Sequence, residues 1–227
     1  MGASRDAGRH RRRGAHPRVV KLGVVTFLTF ARFPLILIFF AAAVFHALHT
    51  DTRLFVLAFI ALIVSASTDL FDGYLARRFG VETQFGAHAD PLMDKFFYLT
   101  TLPLLIFIAT INEHTVHAIA LLVMTLMFLT RDQWVTFLRS IGAIYNVSGC
   151  AHWAGKVRTC LNFPLIGAIY YFEAAPPEAA FIPAGLLYAM EALAVAINFI
   201  SLYIYTRYYW PYLRRSASLS SDGESHP

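Results

Sequence analysis

Long apolar stretches separated by short charged segments run through most of the chain. Five stretches without a charged residue, and a sixth at 179–206 whose only charge is Glu191, approach the roughly 17 to 25 residues of a membrane-spanning helix. Backbone polar groups inside a bilayer must be paired within such a segment, so the pattern predicts helices. Glu191 and Asn198 in the sixth stretch predict a polar contact between helices or a feature of a dimer. The predicted helices lie at 22–46, 54–78, 90–112, 115–141, 155–173 and 180–209.

These helices predict an all-α fold, an integral membrane bundle of six spans. We expect the membrane domain to comprise residues 22–210, followed by a polar tail at 211–227. Residues 1–21 are expected to be a basic arm, with an organellar presequence as the alternative. From Ser216 onwards the composition predicts no regular structure. Six aromatic residues at the end of the last span predict a belt at the membrane–water interface. They are Tyr203, Tyr205, Tyr208, Tyr209, Trp210 and Tyr212.

Composition supports a membrane protein and excludes several other classes. With 57% hydrophobic and 15% charged residues, the chain is too apolar for an ordinary soluble domain. The net charge of +5 does not indicate nucleic-acid binding, because 7 of the 19 Lys and Arg residues precede residue 22. Cys150 and Cys160 are too few for a disulfide scaffold or a paired-cysteine zinc module, and we expect free thiols.

The positions of Lys and Arg predict how the chain is oriented in the membrane. Positively charged residues favour the cytoplasmic side of membrane helices. They occupy the N-terminal arm, the second and fourth connections and the C-terminus, whereas the other three connections hold only Arg53. With six spans, we expect both termini and the second and fourth connections to face the cytoplasm. We expect a bacterial inner membrane, with an organellar membrane as the alternative.

Four aspartates flank the second connection. Asp69 and Asp72 are three residues apart and Asp90 and Asp94 are four apart, so each pair shares one face of a helix. Acidic residues inside a span are costly and usually mark a site or a pathway. Carboxylates without His or Cys form the hard oxygen environment that suits Mg²⁺ or Mn²⁺, and four of them are enough for two ions.

Small residues and an arginine accompany these aspartates. Gly73, Ala76 and Gly86 leave room for a bulky group beside a helix, and Arg77 is a cation suited to a diphosphate. The segment therefore predicts a site for a metal-bound nucleotide diphosphate. A solvated acidic loop is one alternative, and an ion or proton transporter is another. Against a transporter, the acidic residues cluster at one end of the predicted bundle.

The aspartate segment resembles the signature of the CDP-alcohol phosphotransferase family. The string Asp69-x2-Asp72-Gly73-x2-Ala76-Arg77-x8-Gly86-x3-Asp90-x3-Asp94 matches all eight defining positions. The resemblance implies a six-helix membrane enzyme, usually a homodimer, that transfers a phosphatidyl group from CDP-diacylglycerol to an alcohol and releases CMP. It implies that Asp69, Asp72 and Asp90 bind the metal ions and that Asp94 is both a ligand and the general base. The implied CDP-diacylglycerol contacts are Asp69, Gly73, Ala76, Arg77 and Gly86.

Cations on the fourth and fifth predicted helices indicate how the acceptor alcohol is bound. Arg131 and Arg139 are eight residues apart, a little over two turns, and so lie on nearly one helix face. Lys156 and Arg158 open the next helix. The four cations together suit a phosphate on the acceptor. Alternatively, Lys156 and Arg158 are anchors that reach the lipid headgroups. Asp132 is available to pair with Arg131 or Arg139.

Several segments resemble those of the phosphatidylglycerophosphate synthases, one branch of this family. They are Thr130-Arg131-Asp132, Leu138-Arg139, Gly155-Lys156-x-Arg158-Thr159, Leu28-Thr29-x2-Arg32-x-Pro34 and Asp90-Pro91-x2-Asp94-Lys95. This resemblance implies glycerol 3-phosphate as the acceptor. The alternative is a cardiolipin synthase of the same fold, which uses phosphatidylglycerol.

Overall fold

The computed structural model describes residues 30–79, 84–147 and 153–221. Within these ranges the chain forms six long helices and no β-strand, which confirms the predicted all-α class. A short 3-10 helix, Pro177–Ala179, lies before the last helix. The six helices are α1 Phe30–His49, α2 Thr52–Phe79, α3 Gln84–Ile111, α4 Thr115–Ile144, α5 Trp153–Ala174 and α6 Ala184–Ser221.

Four of these helices contain segments long and apolar enough to cross a membrane. The segments are Phe30–His49, Leu92–Ile111, Thr115–Ile144 and Ala184–Ser218. The described part of α2 adds a shorter apolar helix, Thr52–Thr68. Large apolar side chains such as Ile60, Val116 and Leu126 are exposed, as expected of surfaces that face lipid. The chain is a multi-pass membrane protein.

Residues 1–104 form the first of two compact units, and its described part consists of α1, α2 and most of α3. Phe39 of α1, Ala58 of α2 and Phe97 of α3 are fully buried. The rings of Phe33 and Phe96 stack with their centroids 4.6 Å apart, which packs α1 against α3. A small residue such as Ala58 allows close approach between helices.

Residues 105–227 form the second unit, in which α6 packs against both α4 and α5. Leu138 of α4 and Tyr205 and Tyr209 of α6 belong to one buried cluster. Gly142 of α4 is required there, because a Cβ atom at this position would lie 2.4 Å from Cε1 of Tyr209. Glycine therefore allows a large ring of α6 to lie directly on the α4 backbone.

Two expectations about the end of the chain are wrong. Tyr205 and Tyr209, expected at the membrane interface, are buried instead because they pack against α4. The last helix does not end at residue 209 but continues through Pro211 to Ser221, so residues 216–221, for which the composition predicted no regular structure, are helical. Ring contacts stabilise this extension. The ring centroids of Tyr145 and Tyr212 are 5.9 Å apart, and the guanidinium carbon of Arg215 lies 5.6 Å from the centroid of the Tyr145 ring.

A buried polar cluster joins α4, α5 and α6 near the start of α4. His117 Nδ1 lies 2.5 Å from Oε1 of Glu173, and His117 Nε2 lies 2.8 Å from Oε1 of Glu191. The second oxygen of Glu173 accepts a hydrogen bond from Asn112 and lies 2.9 Å from Nδ1 of His114. A neutral imidazole has a single N–H, so both His117 contacts are hydrogen bonds only if the cluster holds one further proton. The polar contact predicted for Glu191 is confirmed.

We expect His117→Phe to destabilise the protein in detergent. The phenyl ring fills the space but cannot hydrogen-bond to Glu173 or Glu191, and a buried polar group left without a partner costs about 1–3 kcal/mol. The matched control is His114→Phe, whose native side chain is 51% exposed and also contacts Glu173, so its loss should be much smaller. Thermal unfolding midpoints measured in one detergent compare the two variants. A midpoint for His117→Phe equal to that of the unaltered protein would contradict a stabilising role.

Candidate functional site

The four motif aspartates lie on two consecutive helices of the first unit. Asp69 and Asp72 belong to α2, and Asp90 and Asp94 belong to α3. The two-helix placement predicted from their spacing is therefore confirmed. Helix α2 ends at Phe79 and α3 begins at Gln84, so all four aspartates lie within about three turns of these adjoining helix ends.

Asp94, the predicted general base, is paired with a buried arginine of α1. Its Oδ1 lies 3.3 Å from Nη1 of Arg32. The Arg32 side chain is fully buried, whereas that of Asp94 is 40% exposed. The ion pair thus orients a carboxylate that other molecules can still reach.

Sequence reasoning assigned no role to Arg32, although the residue belongs to one of the quoted segments. The signal that could have found it is a single arginine inside an otherwise apolar span, since such a charge normally has a partner in the bundle. The identity of that partner depends on how α1 packs against α3, which local spacing does not determine.

The remaining residues predicted to bind CDP-diacylglycerol or metal have side chains outside the described part of the chain, and their roles stay predictions. Among the side chains that are described, no group of three or more His, Cys, Asp and Glu residues is arranged to hold a metal ion. These remaining predicted residues are Asp69, Asp72, Gly73, Ala76, Arg77, Gly86 and Asp90.

In the second unit, two of the predicted acceptor cations share one carboxylate. Asp132 accepts a hydrogen bond from Arg131 Nη1 at 3.0 Å on one oxygen and from Arg158 Nη2 at 2.8 Å on the other. The expected pairing of Asp132 with Arg131 is confirmed, and Arg158 is a second partner that spacing did not predict. The alternative of Arg158 as a headgroup anchor is wrong, because its guanidinium is buried within the helices.

Helix α6 supplies polar partners for both guanidinium groups. Arg158 Nε donates to Oδ1 of Asn198 at 2.8 Å, and Arg131 Nη2 donates to Oγ of Ser201. Asn198 and Ser201 are buried and three residues apart, so they share a helix face. The interhelical contact predicted for Asn198 is confirmed. Sequence reasoning missed Ser201, because a lone serine in a span is equally typical of helix packing.

Tyr205 links the two arginines that spacing predicted to share a face of α4. The guanidinium carbons of Arg131 and Arg139 lie 5.2 and 5.4 Å from the centroid of its ring, within the range of cation–π attraction. Arg139 Nη2 also donates to the Tyr205 hydroxyl at 3.1 Å. The side chain of Lys156, the fourth predicted acceptor cation, lies outside the described part.

Among the described residues, the Arg131–Asp132–Arg158 cluster has more positive than negative charge. Two guanidinium groups share one carboxylate, and both arginines are buried. Nε of Arg131 is buried as well and has no hydrogen-bond partner among the described residues. Buried charges are stable when they are paired and hydrogen-bonded. The described cluster is therefore suited to bind an anion.

Comparisons with known proteins agree with these features. The family model of the CDP-alcohol phosphatidyltransferases matches residues 24–202. A protein of Yersinia pestis named "CDP-diacylglycerol--glycerol-3-phosphate 3-phosphatidyltransferase" is 29% identical over 158 residues, covering 66% of this chain and 77% of the relative. A protein of the same name from Yersinia enterocolitica has the same identity and coverage. A Mycobacterium tuberculosis protein named "Probable phosphatidylglycerophosphate synthase" is 32% identical over 140 residues, or 62% of each chain.

We expect Asp132→Asn to destabilise the second unit. The amide keeps the shape of the carboxylate but leaves two buried guanidinium groups without their shared anion, at a cost of about 3–5 kcal/mol. Glu178→Gln is the matched control, because Glu178 is exposed in the short 3-10 helix. Chemical unfolding in detergent compares the two variants. Equal stability of both would show that the Asp132 carboxylate does not hold the arginines in place.

Proposed function

This chain belongs to the CDP-alcohol phosphatidyltransferase family, and we propose that it transfers the phosphatidyl group of CDP-diacylglycerol to glycerol 3-phosphate and releases CMP. The names of its relatives support this acceptor. The observation that carries the proposal is that, among the described residues, two buried arginines share the single carboxylate of Asp132, because an acceptor that bears its own phosphate would balance the remaining positive charge.

The donor set of the aspartate motif fits a divalent cation. It consists of carboxylates only, arranged in two pairs at the adjoining ends of α2 and α3. We propose that one or two Mg²⁺ or Mn²⁺ ions are held by Asp69, Asp72, Asp90 and Asp94. Bound ions would offset the charge of the substrate diphosphate.

The nucleotide part of the donor is assigned to residues of the same motif. Arg77 would pair with the diphosphate, and small residues beside it would leave room for the cytidine group. The proposed CDP-diacylglycerol contacts are Asp69, Gly73, Ala76, Arg77 and Gly86.

The acceptor is assigned to the cations of the second unit. Nε of Arg131 has no hydrogen-bond partner in the described part of the chain, and Arg139 is linked to Arg131 through Tyr205. Arg158 donates hydrogen bonds to Asp132 and Asn198. Its contribution to the site is therefore mainly its positive charge. We propose that Arg131 and Arg139, with Lys156, bind the phosphate of glycerol 3-phosphate and that Arg158 maintains the positive field.

The reaction is a substitution at phosphorus. The primary hydroxyl oxygen of glycerol 3-phosphate forms a bond to the phosphorus that carries the diacylglycerol. The bond from this phosphorus to the oxygen of CMP breaks, and CMP leaves with the electron pair. Asp94 accepts the hydroxyl proton, and Arg32 keeps its carboxylate oriented for that step.

We propose a bacterial inner membrane as the location, because the relatives named above are bacterial. The distribution of Lys and Arg supports cytoplasmic termini and a cytoplasmic opening of the donor site. A homodimer is the assembly that the family resemblance implies.

The acceptor is tested with purified protein in detergent supplied with CDP-diacylglycerol and Mg²⁺ or Mn²⁺. We expect CMP release with glycerol 3-phosphate and none with inositol or inositol phosphate, and we expect EDTA to abolish it because the carboxylate site needs its ions. Release only with phosphatidylglycerol would instead identify a cardiolipin synthase. No release with any acceptor would remove the enzyme proposal, and a transporter would become the leading alternative.

The role of Asp94 is tested by comparing Asp94→Asn with Asp72→Ala. We expect Asp94→Asn to lose turnover and to retain much of its affinity for CDP-diacylglycerol, because an amide does not accept the proton. Asp72→Ala should lose both, because a metal ligand is missing. CMP release and equilibrium binding of the nucleotide lipid separate the two effects. Normal CMP release by Asp94→Asn would refute its assignment as the base.

A further inference from the structure

Some buried polar side-chain atoms of the second unit have no hydrogen-bond partner among the described residues. Among the described residues, Thr125 Oγ1, Arg131 Nε and both amide atoms of Asn162 are buried and have no hydrogen-bond partner. Asn162 is the most unusual of these, because its side chain is fully buried and leaves two N–H donors and a carbonyl acceptor unused. Nearly all buried polar groups in native proteins are paired, so an unused amide indicates a missing partner.

The position of Asn162 connects it with the proposed phosphate site. Asn162 follows Arg158 by four residues on α5, so the two side chains lie on one face about one turn apart. Arg158 reaches Asp132 of α4 and Asn198 of α6 from that face. The unused amide therefore lies on the side of α5 that faces the Arg131–Asp132–Arg158 cluster.

A carboxamide and a hydroxyl group are complementary, because each can donate and accept a hydrogen bond. Glycerol 3-phosphate carries two hydroxyl groups, of which the primary one is consumed in the proposed reaction. The secondary hydroxyl is retained and needs partners when the acceptor enters a buried site.

We propose that Asn162 binds the secondary hydroxyl of the acceptor and makes the enzyme specific for a phosphorylated polyol. This inference rests on the proposed function and deepens it. A phosphate held by cations alone would not distinguish glycerol 3-phosphate from any other small phosphate with a primary hydroxyl. The Asn162 amide would add recognition of the secondary hydroxyl. An acceptor without this hydroxyl would leave the buried amide unpaired, and the cost of that unpaired group would weaken its binding.

The test compares two acceptors that differ in one group. Glycerol 3-phosphate and 3-hydroxypropyl phosphate both carry a phosphate and a primary hydroxyl, but the second lacks the secondary hydroxyl. We expect the kcat/KM of the unaltered enzyme to favour glycerol 3-phosphate by about tenfold to a hundredfold, the range for one buried polar group left unpaired. In Asn162→Leu this preference should fall to about onefold to threefold, through a higher KM for glycerol 3-phosphate.

Two further variants make the comparison specific. Asn162→Ala should lose the preference in the same way and serves if the leucine does not fit. Thr125→Val removes another unpartnered buried hydroxyl, on α4, and should keep the preference of the unaltered enzyme. Thermal unfolding should show no loss of stability in Asn162→Leu, because the amide has no partner among the described residues.

The possible failures are distinguishable. CMP release with an unchanged acceptor preference in both Asn162 variants would overturn this inference and leave the proposed function intact, and the amide would then be satisfied by buried water. A large loss of stability in Asn162→Leu with an unchanged preference would assign the residue a structural role and would also overturn it. Absence of CMP release from the unaltered enzyme with both acceptors would overturn the proposed function and this inference together.

Discussion

A charge inside a helical bundle that faces lipid must be met by another polar group of the protein, because no bulk water is available to solvate it. This constraint accounts for the main polar contacts between helices. Arg32 of α1 meets Asp94 of α3, and Asp132 of α4 meets Arg158 of α5. Each contact joins helices whose remaining surfaces are largely apolar. Polar pairing therefore selects which helix faces meet, whereas apolar packing fills the space around them.

The two polar clusters of the second unit differ in how completely they are paired. Around His117, both ring nitrogens meet carboxylates and both oxygens of Glu173 have partners. Around Asp132, by contrast, two cations share one anion, and polar atoms of Arg131 and Asn162 lack partners among the described residues. A saturated cluster has little capacity for a ligand and stabilises the fold. An unsaturated cluster with excess charge is what a binding site for an anion requires before its ligand arrives.

The sequence alone was sufficient for features that depend on local periodicity. Six helices and the placement of Asp69 and Asp94 on two of them follow from spacing and from the length of apolar stretches. The pairing of Arg158 with Asp132 and the burial of Tyr205 did not follow, because they depend on which faces of α4, α5 and α6 pack together. Local sequence patterns show which residues share a helix face, but not which other helix that face packs against.

Helix α5 carries two of the proposed acceptor cations and is less apolar than a typical membrane span. Its described part is not among the segments that qualify by length and hydropathy. The helix gives up apolar positions to charged residues, Lys156 and Arg158 among them. In the second unit, α6 compensates, because it packs along α5 and pairs with its arginine through Asn198. Hydropathy alone therefore underestimates a helix on which the proposed acceptor site depends, and a polar motif inside a marginal span is a reason to look for tertiary support.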